Sequence, residues 1–163
     1  MKNVGIVGIG DMGSGLAKNL IKNGFSVIGL DLSEHRKLAF EAMGGQLAKD
    51  FAEIGRASDA VFVMVMNGTQ AKEIILGENG LVASMEKGGT ILLTATIKPT
   101  EAREIGAAMA GSGIDLIDSP VSGGFPGAQG GNLTLMAGAP ADLLAKNRHV
   151  MEAVSKTIHH VGS

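Results

Sequence analysis

Three glycines near the start of the chain, Gly8, Gly10 and Gly13, have the spacing of a turn that cradles phosphates. The apolar run Val4-Gly5-Ile6-Val7 leads into Gly8-Ile9-Gly10-Asp11-Met12-Gly13-Ser14-Gly15, after which Met12, Leu16, Leu20 and Ile21 recur at helical spacing. In a strand-turn-helix unit, Gly8 allows the tight turn, Gly10 lets the backbone approach a pyrophosphate, and Gly13 lets helix and strand pack closely. The unpaired N–H groups and positive dipole end of the new helix would face the phosphates. With 25 glycines in 163 residues, this spacing alone is weak support. Asp31 strengthens it. It ends the apolar run Phe25 to Leu30, about 20 residues past the turn, where a carboxylate accepts hydrogen bonds from adenosine ribose hydroxyls.

The competing role for Asp31 is a helix cap. Ser33 is the better cap for the helix expected from Ser33 to about Met43, which leaves Asp31 free at the strand end. Turn and acid together point to a bound dinucleotide, with Gly8, Ile9, Gly10, Asp11, Met12, Gly13, Asp31 and Leu32 as the expected cofactor-binding set. The carboxylate repels a 2′-phosphate and so favours NAD over NADP, whereas Arg36 and Lys37, close by in sequence, pull the other way. A second group lies far down the chain. Asp118-Ser119-Pro120-Val121-Ser122-Gly123-Gly124-Phe125-Pro126-Gly127-Ala128-Gln129-Gly130-Gly131 reads as a long polar, glycine-rich loop after a strand. Its backbone N–H donors and the Ser122 hydroxyl suit a carboxylate or another anion, and a flexible surface loop would have the same composition.

These groups need a scaffold that brings strand ends together. Apolar runs at Asn3–Ile9, Phe25–Leu30, Gly44–Ala48, Ala60–Met66, Thr90–Leu93 and Gly113–Ile117 alternate with helical patterns at Met12–Asn23, Ser33–Met43, Phe51–Ala57, Thr69–Leu76, Leu81–Met85 and Pro99–Met109. That alternation predicts an α/β fold, a doubly wound, mostly parallel sheet of the Rossmann type. Asn132–Ala137 and Thr157–Val161, with a helix at Pro140–Val154 between them, extend the sheet at the C-terminal end. Asn67-Gly68 and Thr94-Ala95-Thr96 then fall at carboxyl ends of strands, where open parallel sheets bind ligands. Each also reads as an ordinary turn or cap.

The order of these motifs resembles the β-hydroxyacid dehydrogenases, which include 3-hydroxyisobutyrate dehydrogenase, tartronate semialdehyde reductase and sugar-acid relatives. The resemblance covers the whole chain. It rests on Gly8-Ile9-Gly10-Asp11-Met12-Gly13, Met64-Val65-Met66-Asn67, Thr96-Ile97-Lys98-Pro99 and, most specifically, Asp118-Ser119-Pro120-Val121-Ser122-Gly123-Gly124 running on through Gly127-Ala128 and Gly131. It implies that Ser122, Gly123 and Gly124 bind the substrate's carboxylate, and that Val65, Met66, Asn67 and Thr96 line the nicotinamide half of the cofactor site. Many members have Leu-Pro at Val65-Met66 and Ser-Thr at Ala95-Thr96. The Thr94-Ala95-Thr96-Ile97-Lys98-Pro99 sequence is more similar to the sugar-acid branch.

The implied reaction is reversible hydride transfer between NAD and a small 3-hydroxy acid, which needs an acid/base group within reach of the hydroxyl. In the resembled family a lysine on a long helix past the Val161-Gly162 position serves, followed by a helical domain. Residues 1–163 are thus expected to form the NAD(P)-binding domain alone, holding cofactor without efficient turnover and contributing no catalytic residue. No lysine here stands in a motif that nominates it, and His149, His159 and His160 are expected on the surface. The alternative is a non-catalytic dinucleotide sensor or scaffold module of the same fold. A methyltransferase shares the glycine turn and strand-end acid but gives the Asp118–Gly131 stretch no role.

Net charge −2, no block of Lys or Arg, and the absence of Trp and Tyr argue against nucleic-acid binding. Without cysteine there is no disulfide framework or thiolate metal site, and the His159-His160 pair has no spaced partner to hold zinc. Lys2 before a short apolar run that Gly8 interrupts is neither a signal peptide nor a membrane span. A cytoplasmic protein follows, long enough to bury roughly 70% of its unfolded surface. An apolar face meant for the following helix would favour a homo-oligomer.

Overall fold

Short aliphatic runs become strands here because both of their faces are covered, so every side chain of the run can be buried. The computed structural model describes residues 3–8, 10–31, 33–64, 67–94 and 97–162, apart from the side chains of Asp11 and Phe125. In chain order the elements are β1 (Asn3–Val7), α1 (Asp11–Lys22), β2 (Ser26–Leu30), α2 (Glu34–Ala42), β3 (Gln46–Leu47), α3 (Phe51–Ala57), β4 (Ala60–Val63), α4 (Gly68–Leu76), α5 (Leu81–Ser84), β5 (Thr90–Leu93) and α6 (Pro99–Met109). Then follow β6 (Asp115–Asp118), β7 (Val121–Ser122), α7 (Gly124–Gly130), β8 (Leu133–Gly138), α8 (Ala141–Val154) and β9 (Ser155–Gly162).

Six strands run parallel in the order β3-β2-β1-β4-β5-β6. The chain therefore steps outward from β1 to one side and then back across to the other, which leaves a crevice at the carboxyl ends of β1 and β4. Alternation along each strand sorts the core. Val4 and Ile6 of β1, Phe62 of β4 and Leu92 of β5 face one layer with Leu16 and Leu20 of α1, Phe40 of α2 and Val150 and Met151 of α8. Val7, Val61, Val63, Ile91 and Leu93 face the other, with Ile54 of α3, Ile75 of α4 and Ile105 of α6. The doubly wound α/β expectation holds.

Beyond β6 the sheet changes character. β6 pairs parallel with β5, then its last residue Asp118 pairs antiparallel with Gly138 of β8. The same antiparallel register continues through Val121↔Leu135 and Ser122↔Thr134, and the Met136 N–H donates to the Pro120 carbonyl at 3.1 Å. One extended segment thus leaves β5 and becomes the partner of β8, while β9 lies parallel on the other side of β8. Among the described residues no helix is long and apolar enough to cross a membrane.

Two expectations need correcting. The stretch from Asp118 to Gly131 is not one long loop: it holds β7 and α7, and α7 packs against α1. Its helix forms although its sequence is glycine-rich, because a tertiary partner overrides weak propensity. The expected strand at Gly113–Ile117 is shifted to Asp115–Asp118, since Gly113 has φ +84 and turns the chain into it. β4 covers Ala60–Val63 of the expected Ala60–Met66, whose residues Val65 and Met66 lie outside the described residues, and β9 starts at Ser155, directly after α8.

Candidate functional site

The glycine turn sits where β1 hands over to α1, and two of its glycines are required by contact. Gly8 has φ +89, and a Cβ on it would fall 2.0 Å from the Met64 carbonyl oxygen. A Cβ on Gly13 would fall 2.1 Å from the Gly8 carbonyl oxygen, so α1 can lie this close to β1 only with glycine there. Gly10 differs. Among the described residues only the Arg36 guanidinium comes within 4 Å of its Cβ direction, at 3.6 Å. Gly10 also brings no side chain to cap α1, and the first N–H groups of a helix have no partner within it. A turn closed on its protein side, beside a helix N-terminus that has no side-chain cap, suits a pyrophosphate.

Asp31 is part of this turn rather than free beside it. Its Oδ2 accepts the Gly10 N–H at 3.0 Å and its Oδ1 accepts the Ser33 N–H at 2.9 Å. Ser33 does cap α2, its hydroxyl accepting the Arg36 N–H at 3.4 Å. The carboxylate therefore ties the end of β2 to the glycine turn, and Gly8 adds a second tie by donating to the Leu30 carbonyl at 3.2 Å. A carboxylate has about four acceptor positions, so these backbone bonds are compatible with ribose hydroxyls.

The other strand ends converge from the same side of the sheet. Asn67 caps α4, its Oδ1 accepting the Gln70 N–H at 2.9 Å. Thr94 is buried after β5 and donates to the Val63 carbonyl at 3.1 Å. Of the expected cofactor residues, Ile9, Leu32, Val65, Met66 and Thr96 lie outside the described residues, as does the side chain of Asp11; Met12 packs in part against the core. Ser122 is exposed in β7, and Gly123 (φ +127) and Gly124 (φ +57) make the turn into α7 that other residues rarely adopt.

Some residues carried no sequence signal of this kind. Asn19 is buried on the apolar side of α1, and its Nδ2 donates to the carbonyls of Gly15 at 2.9 Å, Ala128 at 2.9 Å and Gln129 at 3.0 Å. Its clue was a polar side chain inside the stripe formed by Leu16 and Leu20. Asp118 is partly buried at the end of β6, and burial raises its carboxyl above the ordinary value. Ser119 beside it is fully buried and its hydroxyl has no hydrogen-bond partner among the described residues. His149 is exposed and its ring lies 5.8 Å from that of Phe25; His159 and His160 are exposed on β9. No cluster of three metal-ligating side chains occurs among the described residues.

This geometry can be set beside known proteins. Residues 3–162 match the family model described as the NAD binding domain of 6-phosphogluconate dehydrogenase. The chain belongs to that family. As an NAD-binding domain of this type it is 33% identical over 162 residues to the L-threonate dehydrogenase of Cupriavidus necator, covering 99% of this chain and 54% of that protein. It is 35% identical to the NAD-dependent L-serine dehydrogenase of Pseudomonas aeruginosa over the same shares of both chains. The crystal structure of 3-hydroxyisobutyrate dehydrogenase from Salmonella typhimurium superposes with a TM-score of 0.93 at 29% identity, covering 100% of this chain and 57% of that one. The domain therefore spans about half the length of these relatives. The N-terminus of α1, with no side-chain cap, suits the cofactor that the family description names.

Proposed function

We propose that this chain holds NAD for reversible hydride transfer between NAD and a small 3-hydroxy acid of the sugar-acid kind, the acid giving up hydride and its oxo form taking it back. The observation that carries the reading is the seating of α7 on α1. One helix thereby presents the phosphate turn at its N-terminus and supports, on its flank, the segment that opens at Ser122. Likeness to L-threonate dehydrogenases supports the sugar-acid choice, as does the Thr94-Ala95-Thr96 sequence.

When bound, NAD supplies the hydride acceptor, and its reduced form the donor. The protein's part is to hold and orient. The first turn of α1 offers N–H groups and a positive dipole end to the pyrophosphate, with Gly10 allowing close approach. Asp31 accepts the ribose hydroxyls, and its charge disfavours a 2′-phosphate, so NAD is preferred to NADP. The Ser122 hydroxyl and the N–H groups of Gly123 and Gly124 receive the acid's carboxylate. Val65, Met66, Asn67 and Thr96 flank the nicotinamide half. The hydroxyl proton needs an acid/base group within hydrogen-bond reach. We assign that role to none of the described residues; a lysine on a following helix is our proposal for it, supported by the resemblance of the motifs. These 163 residues alone therefore bind cofactor and turn over poorly.

The test is the purified chain supplied with NAD and either L-threonate or 3-hydroxyisobutyrate. Saturable NAD binding by calorimetry with negligible formation of reduced nicotinamide is expected. Efficient oxidation of either acid by the chain alone would sink the assignment of the acid/base group.

A further inference from the structure

We propose that Asn19 is a positioning residue that couples the cofactor turn to the Ser122–Gly124 segment by fixing the end of α7 to the flank of α1. The coupling is a property of two helices; its catalytic meaning rests on the reading of Ser122–Gly124 as the carboxylate cradle.

The last carbonyls of a helix have no partner within it. In α7 the Ala128 and Gln129 carbonyls accept from the Asn19 amide, which is only 6% exposed, and the Ala128 carbonyl also accepts the Gly131 N–H at 3.4 Å. The seam is tight on both sides of that amide. A Cβ on Gly15 would fall 2.5 Å from the Ala128 carbonyl carbon, and a Cβ on Gly131, where φ is +69, would fall 2.9 Å from Asn19 Oδ1. Asn19 is thus enclosed between the last turn of α7 and the residue that ends it.

Helix α7 has little order of its own to offer. Its sequence Gly124-Phe125-Pro126-Gly127-Ala128-Gln129-Gly130 is seven residues long with three glycines and a proline. Low propensity and short length make such a helix depend on its docking partner. That partner is α1, whose N-terminus is the phosphate turn about two and a half turns from Asn19. An anion held at that end orders the first turns of α1, which include Gly15, the floor of the seam. Cofactor binding is thereby felt at α7, and through Gly124 at the segment before it.

The test is hydrogen exchange read by mass spectrometry on the 163-residue chain, with and without saturating NAD. In the unmodified protein NAD slows exchange in residues 8–15 and also in residues 122–131, the latter on the order of fivefold or more. In Asn19→Ala the slowing at residues 8–15 persists, while the ratio with and without NAD at residues 122–131 falls to near one. A role confined to stability would speed exchange at 122–131 equally in both conditions and keep the ratio; that result overturns the proposal. Gly15→Ala attacks the same seam one turn earlier on α1, by crowding Ala128 of α7 while alanine favours the α1 helix, so it decides the question should Asn19→Ala not fold, and its keeping the ratio is equally fatal. Slowing at residues 8–15 without any at 122–131 in the unmodified protein overturns the coupling and leaves the cofactor reading standing. No slowing at either segment overturns both.

Discussion

The Asp31 carboxylate accepts the backbone N–H of Gly10 at 3.0 Å, so the acid at the end of β2 shapes the glycine turn it was expected only to accompany. It holds Ser33 by the same means. Replacing it with alanine leaves two backbone N–H groups without their carboxylate acceptor. We predict that Asp31→Ala lowers stability by about 1–2 kcal/mol in urea unfolding. An unchanged midpoint would mean that these bonds contribute nothing.

The same substitution should have opposite signs at two helical glycines. A Cβ on Gly13 meets the Gly8 carbonyl oxygen at 2.1 Å, so Gly13→Ala must push α1 off β1, at a cost of about 1–3 kcal/mol. A Cβ on Gly106, within α6, meets only Leu116 Cδ2 at 3.7 Å, an ordinary contact. Gly106→Ala should therefore stabilise by about 0.5–1 kcal/mol through helix propensity. Equal effects in thermal unfolding would refute this account of the turn.

Ser119 buries a hydroxyl that finds no partner among the described residues. Removing it relieves a desolvation penalty and leaves only a small void. Ser119→Ala is expected to raise stability by about 1 kcal/mol. A loss of that size would show that the hydroxyl is engaged.

Asp118 gives the domain a pH dependence of definite sign. Burial holds its folded-state carboxyl above the ordinary 3.8, so the folded protein binds the proton more tightly than the unfolded one. Its contribution is fully present below 3.8 and is lost as pH rises through the folded value. The melting temperature of Asp118→Asn should therefore gain on that of the unmodified protein as pH is raised from acid to neutral. A difference that does not change with pH would contradict the cause assigned.

How much of this was legible in sequence depends on where each residue's partners lie. The parallel sheet could be read because Val4 to Val7, Ala60 to Val63 and Thr90 to Leu93 are apolar runs that alternate with helices. Gly8, Gly10, Gly13 and Asp31 could be read because their spacing is local. Helix α7 could not, since three glycines and a proline describe a loop until α1 is beside it. Asn19 is the clearest case: a polar residue inside an apolar stripe marks a buried group, but its partner Ala128 lies 109 residues away and the stripe does not name it. The end of β6 was misplaced for a related reason, because the segment from Asp118 to Ser122 is fixed by β8, which comes later in the chain.

The account stands most directly on a calorimetric titration of the chain with NAD and with NADP, repeated on Asp31→Ala. It predicts one NAD site per chain, weaker NADP binding, and a loss of NAD affinity on the order of tenfold or more in the variant, as expected for removing a charged hydrogen-bond acceptor worth about 1.5–3 kcal/mol. Undiminished NAD affinity in Asp31→Ala, or no binding of NAD by the unmodified chain, would contradict it.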